Sequence, residues 1–293
     1  MKLVIINVKG QTFMSRSIQN FLSPLIPVEI IELENIVPVY DDDAIFLIYC
    51  TFLMPFHLPK KRYIIYQLEQ NVNSTLSQHY QRNIPYLKLW FDNALKVFDY
   101  TRDNITVFEN MLDPISIQHL ACPFLPSPVC SFSYPIDFCF MGSLNMRRKL
   151  ILKGLLDMKF RIAVYENNCF GEEYLTRIRE CKTVLNIHYY NNAFLERSRL
   201  NDAFFAGKRN IISEEPGTEN DREHIIQFYK NMGVVFVPYN AFTTSLHQTI
   251  SYFASAMKMS AISEFEEQIT MNESISRREW VNAFTAEMLT QSK

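Results

Sequence analysis

The sequence predicts an α/β protein with two parallel β-sheets, and three observations support this prediction. The chain has 293 residues, enough for two compact domains. Short apolar runs rich in β-branched and aromatic residues alternate with longer helical patterns, which is typical of parallel sheets covered by helices. A proline-rich stretch at residues 122–135 interrupts this alternation midway. We therefore expect two α/β domains that face a cleft, with ligands bound at the carboxyl ends of the strands.

Five strands and three helices are predicted before the proline-rich stretch. KLVIINV at residues 2–8 is apolar throughout, as expected of a strand buried on both faces. Helices are predicted at 13–22, at about 74–93, and from Thr101, whose hydroxyl can cap the first turn, to about Met111. The other four strands are VEIIEL, AIFLIYC, RYIIYQL and ALKVFDY.

The stretch CPFLPSPVCSFSYP has four prolines in 14 residues, which disfavours both helix and central strand. We interpret it as a linker between a first domain, 1–124, and a second domain, 125–260. The remaining residues, 261–293, are predicted to be helical. There Trp280, Phe284 and Met288 recur every four residues as one apolar stripe. The stripe packs on the first domain, on its own domain or in a dimer contact.

The β/α alternation resumes after the linker with five more strands and five more helices. The strands are DFCFMG, FRIAVY, TVLNIHY, RNIISE and GVVFVPY. The helices lie near residues 145–157, 171–181, 193–206, 218–231 and 241–257.

The segment FMGSLNMRRK joins a strand to a helix and concentrates positive charge. The strand ends at Gly142, where backbone or ligand can approach closely, and Ser143 or Asn145 can cap the helix. Three cations fall in its first turn: Arg147, Arg148 and Lys149. Cations oppose the helix dipole there unless an anion joins them, so the pattern favours a phosphate site. The alternative is a solvated charge cluster.

A second set of polar residues follows the strand TVLNIHY. His188 and Tyr189 lie at its carboxyl end, Glu196 lies early in the next helix, and Arg199 is one turn further on. A carboxylate facing the cleft can accept hydrogen bonds from both hydroxyls of a ribose. The alternative is a surface ion pair of Glu196 with Arg199 or with a lysine. Glu214 and Glu215 end the next strand, where they can face the cleft, although at least one of them is expected on the surface.

Composition excludes several other classes of function. Net charge is -2, which gives no overall attraction to nucleic acid or anionic lipid. The chain has only 7 glycines and neither of the two glycine-rich phosphate-binding motifs. No apolar stretch has the length of a membrane span. No cysteine pair forms C-x-x-C, and the cysteines are interpreted as reduced structural thiols, so a cytoplasmic protein is expected.

The triplet Asp41–Asp43 precedes a strand and is interpreted as a solvated turn rather than a metal site.

The pieces FMGSLNMRRKLIL, FGEEY and VLNIHYYNNAFLERSRLNDAFFAGKRNIISE, in this order, resemble the C-terminal half of GT-B-fold glycosyltransferases. KRYIIYQLEQN, YLKLWFDNALKVFDYTRDN and CPF extend the resemblance over residues 60–240. It implies two Rossmann-like domains, an acceptor-side first domain and a second domain that binds a nucleotide sugar. It places Gly142, Ser143, Arg147 and Arg148 near the diphosphate, and His188 and Glu196 near the donor sugar or ribose.

The chain departs from this family's pattern in two ways. Many retaining members have two glutamates separated by seven residues, but here Phe204 stands eight positions after Glu196. The resemblance therefore implies no stereochemical outcome. The chain is also short for the fold, so loops of the acceptor domain must be trimmed. An inverting reaction needs a general base, for which His57, Glu69 and Asp99 are candidates. Glu69 is preferred because it ends the strand YIIYQL.

The sequence thus predicts a metal-independent glycosyltransferase that uses a nucleotide sugar, a UDP- or GDP-sugar, and a glycan acceptor. Arg147 and Arg148 are expected to stabilise the leaving diphosphate, and Glu69 to act as the base. Donor-binding residues are expected at Gly142, Ser143, Asn145, His188, Tyr189, Glu196 and Arg199. No nucleic-acid partner, membrane span or divalent metal is expected. The alternative is a non-catalytic module of the same fold that binds a nucleotide or a glycan.

Overall fold

A computed structural model describes the chain in two compact units, Met1–Pro123 with Ser274–Lys293, and Phe124–Glu273. The residues that it describes are 1–36, 43–49, 51–71, 78–112, 116–129, 134–166, 169–190, 193–217, 219–239, 246–257 and 265–291.

Within these residues, the first unit contains a six-stranded sheet in the order β2-β1-β3-β4-β5-β6, and every neighbouring pair is parallel. Its strands are β1 (Lys2–Asn7), β2 (Val28–Glu32), β3 (Ala44–Ile48), β4 (Tyr63–Gln67), β5 (Lys96–Asp99) and β6 (Ile117–His119). The five predicted strands are present. The sequence did not reveal β6, because two of its three residues are exposed and it has no apolar run.

The helices of the first unit confirm one predicted cap and correct one predicted helix. They are α1 (Thr12–Leu22), α2 (Gln78–Gln81), α3 (Ile84–Asn93) and α4 (Arg102–Met111). Thr101 caps α4, as predicted, by accepting a hydrogen bond from the Asp103 amide. The prediction of a single helix over 74–93 is wrong, because a new helix begins at Ile84. Asn83 caps this helix, and a proline lies in its first turn. Residues 74–77 lie outside the described part.

The second unit contains a five-stranded parallel sheet in the order β11-β10-β9-β7-β8 within the described residues. Its strands are β7 (Ile136–Met141), β8 (Ile162–Tyr165), β9 (Cys181–Asn186), β10 (Ile211–Glu214) and β11 (Val235–Val237). Its helices are α5 (Met146–Asp157), α6 (Gly171–Arg179), α7 (Arg197–Phe205), α8 (Arg222–Lys230) and α9 (Leu246–Ala256). All five strands were predicted. Since β7, β9 and β10 are adjacent and parallel, the segments that follow them lie side by side.

The last helix, α10 (Glu266–Gln291), carries the apolar stripe that was noted in the sequence. Trp280 and Phe284 are buried and stack with ring centroids 5.5 Å apart. The Trp280 ring also packs edge-on against Tyr66 at 5.0 Å, and its Nε1 donates to the Ala121 carbonyl at 3.0 Å. The side chain of Met288 lies outside the described residues. Of the helices that are described, none combines the length and apolarity needed to cross a membrane.

Replacing Trp280 with Ala should lower the free energy of unfolding of the first unit by about 3–5 kcal/mol, since a large buried ring and a hydrogen bond are lost. Trp90 is the one other tryptophan of the chain and also lies in this unit, so its fluorescence during urea unfolding reports on the first unit alone. The control is Asn282→Ala, two residues further along α10 and exposed, which should change stability little. Equal midpoints for the two variants would contradict the packing described here.

Candidate functional site

Five charged side chains gather at the carboxyl edge of the second sheet. We call them the arginine–glutamate cluster: Arg147, Arg148, Glu196, Arg199 and Glu214. They come from the first turn of α5, the start of α7 and the end of β10. The sequence predicted this location for most of them because ligand sites in parallel sheets lie beyond the strand ends.

The turn after β7 brings the backbone close to this cluster. Gly142 has a φ of +131°, and a Cβ atom there would lie 3.0 Å from Arg199 Nη2. The positive φ favours glycine at this position, and a side chain there would in addition crowd the Arg199 guanidinium. Of the two predicted caps of α5, Asn145 fills the role: its Oδ1 accepts from the Arg148 amide at 2.9 Å. Its Nδ2 donates to the Tyr189 carbonyl at 2.6 Å, which links α5 to the segment after β9.

Arg148 is buried, with its side chain only 2% exposed, and connects three segments of the chain. Its Nε donates to the Ile187 carbonyl at 2.8 Å and its Nη1 to the Ser143 carbonyl at 2.8 Å. Its Nη2 donates to Glu196 Oε1 at 2.9 Å. Burial lowers the pKa of Arg148 to about 10, and Glu196 only partly offsets that effect. Because all three nitrogens already have acceptors within the protein, Arg148 holds the site together, and its contact with a phosphate stays a prediction.

Glu196 immediately precedes α7 and lies between Arg148 and Arg199, forming an ion pair with each. Burial alone would raise the pKa of Glu196, but the two guanidinium groups outweigh it and hold that pKa below its ordinary value. The carboxylate is therefore ionised at neutral pH. The ion pair with Arg199 was one of the two alternatives in the sequence, but it is largely buried rather than on the surface. Arg199 also donates to Asn186 Oδ1 at 3.2 Å.

Glu214 is the second anion of the cluster, and its carboxylate is fully buried. It accepts two hydrogen bonds from Arg147, one of them at 2.9 Å from Nη1, and one from the His188 amide at 2.8 Å. Burial would lower the pKa of Arg147, but the contact with Glu214 more than offsets it and raises that pKa. Arg147 also lies over the ring of Tyr239, 5.3 Å from its centroid. The sequence singled out neither the Arg147–Glu214 pair nor Tyr239.

His188 and Tyr189 follow β9, which ends at Asn186 rather than continuing to them as predicted. His188 is fully buried, and its Nε2 lies 3.0 Å from the Glu215 carbonyl. Tyr189 is exposed, and its ring covers the Arg148 guanidinium at 5.1 Å. The two neighbours in sequence therefore have different surroundings, one inside the unit and one on its surface.

The cluster carries one net positive charge, because three guanidinium cations face two carboxylates. It lies at the N-terminus of the 12-residue helix α5, whose first turn contains no acidic residue. Arg147 and Arg199 keep 16% and 19% of their side chains exposed. The positive end of the α5 dipole and the excess positive charge of the cluster both attract anions, so this edge of the sheet is suited to bind an anion.

The candidate bases of the first unit have different surroundings. Glu69 is half-buried two residues beyond β4, and its carbonyl accepts from Asn104 Nδ2 at 2.8 Å. Asp99 is buried, and its carboxylate accepts from the Thr101 amide and from Asn104, so it stabilises the turn into α4. His57 is exposed and stacks on Trp90 at 5.3 Å.

The predicted solvated turn at Asp41–Asp43 falls mostly outside the described residues, which include only Asp43. Among the residues that are described, no group of three or more His, Cys, Asp or Glu side chains is arranged to hold a metal ion.

Comparison with known proteins gives matches among solved structures. No protein-family model and no curated protein sequence matches the chain. Among solved structures, a mutant of S. aureus TarM in complex with Fondaparinux, alpha-GlcNAc-glycerol and UDP matches with a TM-score of 0.50 at 10% identity, over 85% of this chain and 54% of that chain. A second TarM structure matches over the same shares with a TM-score of 0.41 at 10% identity.

The chain thus spans about half the length of TarM. At this identity the similarity shows the fold alone: the chain has two parallel-sheet α/β units of the GT-B type. The predicted fold class is confirmed, and the resemblance to GT-B glycosyltransferases is supported at the level of the fold.

Replacing Arg148 with Ala should lower the free energy of unfolding of the second unit by about 3–5 kcal/mol, because it leaves Glu196 without one of its two buried partners. Lys149→Ala is the matched control: it removes the next cation of the same turn, which is exposed. Its effect should stay within about 0.5 kcal/mol. Urea unfolding followed by far-ultraviolet circular dichroism measures both. If Arg148→Ala changes the free energy of unfolding as little as Lys149→Ala does, Arg148 does not stabilise the contacts between these segments.

Asp202 in α7 makes stability depend on pH. Burial raises the pKa of Asp202 from 3.8 to about 8, and nearby Arg199 opposes this only in part. As pH rises from about 4 to 8, the unfolded chain releases this proton while the folded chain keeps it, so stability falls. Asp202→Asn removes this titration. Its melting temperature relative to wild type should therefore rise steadily between pH 4 and pH 8.

Thermal melts at several pH values test this expectation. Asp157→Asn, which removes an exposed carboxyl group from α5 of the same unit, provides the control against which the pH dependence of Asp202→Asn is compared. A difference between Asp202→Asn and wild type that does not change with pH would contradict the raised pKa of Asp202.

Proposed function

We propose that this protein is a glycosyltransferase that moves a sugar from a nucleoside diphosphate to a carbohydrate acceptor. The observation that carries the proposal is the net positive arginine–glutamate cluster at the N-terminus of α5, beyond the carboxyl edge of the second sheet. A diphosphate is the anionic part of such a donor. The TarM structure of the same fold contains UDP together with alpha-GlcNAc-glycerol, which supports this choice of ligand.

In this proposal the second unit binds the donor, a UDP- or GDP-sugar. The diphosphate lies against Arg147 and the first turn of α5, with the backbone of Gly142 and Ser143 beside it. Arg148 keeps the turn and Glu196 in place. Glu196 and Arg199 contact the ribose or the donor sugar, since an ionised carboxylate can accept further hydrogen bonds from hydroxyl groups.

Sugar transfer forms a bond between the acceptor oxygen and the anomeric carbon, and it breaks the bond from that carbon to the diphosphate. The electron pair leaves with the diphosphate, which becomes more negative in the transition state. Donors of positive charge that are already oriented toward this group provide a large part of catalysis. We assign that role to Arg147 and the helix N-terminus, and we propose that no divalent metal is required.

In an inverting reaction the acceptor hydroxyl must also lose its proton. We propose Glu69 of the first unit as the general base, because its side chain follows the carboxyl end of β4 and remains half-buried. Asp99 is less suited, since its carboxylate accepts hydrogen bonds from Thr101 and Asn104.

The role of Arg147 is tested with two variants, neither of which leaves the buried Glu214 carboxylate without its cation. Glu214→Gln neutralises the partner of Arg147, and Arg147→Ala/Glu214→Gln then removes the cation as well. The double variant should turn over donor at least about 100-fold more slowly than Glu214→Gln, because the developing charge loses its donor. The rate is measured as the release of nucleoside diphosphate, once in the presence of manganese and once in the presence of a chelator. Equal rates for the two variants would remove Arg147 from the mechanism.

Hydrolysis of the donor without acceptor separates transfer from mere binding. A transferase should release nucleoside diphosphate slowly from UDP- or GDP-sugars through attack by water, and Glu69→Gln should slow transfer to a glycan acceptor more than this hydrolysis. Tight donor binding with no hydrolysis and no transfer would identify a binding module instead.

A further inference from the structure

Glu196 has a non-helical backbone conformation at the point where α7 begins. Its φ of −75° is close to the helical value, but its ψ of 69° is not. The Arg197 amide donates to the Leu195 carbonyl at 2.8 Å, so Glu196 lies at the centre of an inverse γ-turn. Because ψ is the rotation about the bond from Cα to the carbonyl carbon, a change in ψ moves the Glu196 side chain relative to α7.

The carboxylate of Glu219 contacts the residues on both sides of this bond. Its Oε2 accepts from the Leu195 amide at 2.9 Å, and its Oε1 accepts from Arg197 Nη2 at 2.5 Å. Glu219 belongs to the segment after β10, so these contacts come from outside the turn. One planar group thus bridges the rotatable bond of Glu196 and holds its ψ at the observed value.

Glu219 and Glu196 differ in their access to solvent. The side chain of Glu219 is fully buried. Glu196 keeps 15% of its side chain exposed, although it also pairs with Arg148 and Arg199. A ligand can therefore reach Glu196 but not Glu219. An effect of Glu219 on ligand binding must act through the residues that it holds.

We propose that Glu219 is a positioning residue: by holding Leu195 and Arg197, it fixes the Glu196 carboxylate in the orientation that binds the ligand. This inference rests on the proposed function, in which Glu196 contacts hydroxyl groups of a nucleotide sugar, and it adds a residue from outside the cluster. A carboxylate that is already oriented loses less conformational freedom when the ligand binds, so affinity increases.

Glu219→Gln removes half of this bridge with little change in the size of the side chain. An amide has one acceptor oxygen, so it can hold Leu195 or Arg197 but not both, and its NH₂ group then faces another donor. Glu223→Gln is the matched control, because it makes the same change at an exposed residue in the first turn of α8. If Glu219→Gln does not fold, Arg197→Met/Glu219→Gln takes its place, since it removes both charges of the pair together.

Isothermal titration measures the affinity of each variant for UDP, GDP, UDP-glucose and UDP-N-acetylglucosamine, with Glu196 present and in the Glu196→Gln background. Loss of a hydrogen bond to a charged group weakens binding about tenfold or more, and we expect this for at least one probe with Glu196→Gln and with Glu219→Gln. Glu223→Gln should bind as wild type does. In the Glu196→Gln background, Glu219→Gln should change the affinity by less than about twofold, because the two residues act as one unit.

This double-mutant cycle separates positioning from a general loss of stability, which would weaken binding by the same factor in both backgrounds. The proposal is overturned by that result. It is also overturned if wild type binds a probe and Glu219→Gln binds every such probe within about threefold of wild type. Failure of wild type to bind any of these probes would instead contradict the proposed function, and this inference with it.

Discussion

The guanidinium group of Arg148 is the contact on which the carboxyl edge of the second sheet depends. It joins the loop after β7, the segment after β9 and the residue before α7 through contacts with Ser143, Ile187 and Glu196. A cation in this buried position is costly unless every partner is present, so the segments are held in one arrangement. Arg199 is held against Arg148 because both arginines pair with Glu196, and Gly142 has no side chain that would crowd Arg199.

The second carboxylate, Glu214, allows several arginines to lie at the N-terminus of α5 because it forms an ion pair with one of them. By itself, each arginine there opposes the dipole of α5. Glu214 neutralises Arg147 and also fixes the His188 amide, while Glu196 neutralises one further arginine. One positive charge remains, which an anionic ligand can offset. The fold does not determine function, so the proposal rests on this arrangement of charges rather than on the similarity to TarM.

The sequence predicted the features that depend on neighbouring residues. Thr101 and Asn145 cap their helices through amides two and three residues on, which makes such caps visible in the sequence. The strand order could not be predicted. The burial of Arg148 could not be predicted either, because its guanidinium group contacts residues 39 and 48 positions away in the sequence. A run of arginines in the first turn of a helix indicates an anion site, but only the structure shows that one of them, Arg148, is buried and bound to other segments of the protein. Similarly, the end of β9 is two residues short of His188, because pairing with neighbouring strands sets it.

If the arginine–glutamate cluster of the second unit binds a nucleoside diphosphate, that ligand should raise the melting temperature of the protein, which a thermal-shift panel measures. The ligands are UDP, GDP, dTDP, CMP, ADP and S-adenosylmethionine, each with and without Mn²⁺. At 100 times its dissociation constant a ligand stabilises the protein by about 2.7 kcal/mol, which raises the melting temperature by roughly 5 °C or more. Such a rise is expected with UDP or GDP, and it should be the same with and without Mn²⁺. A rise only with S-adenosylmethionine, or no rise with any nucleotide, would contradict this expectation.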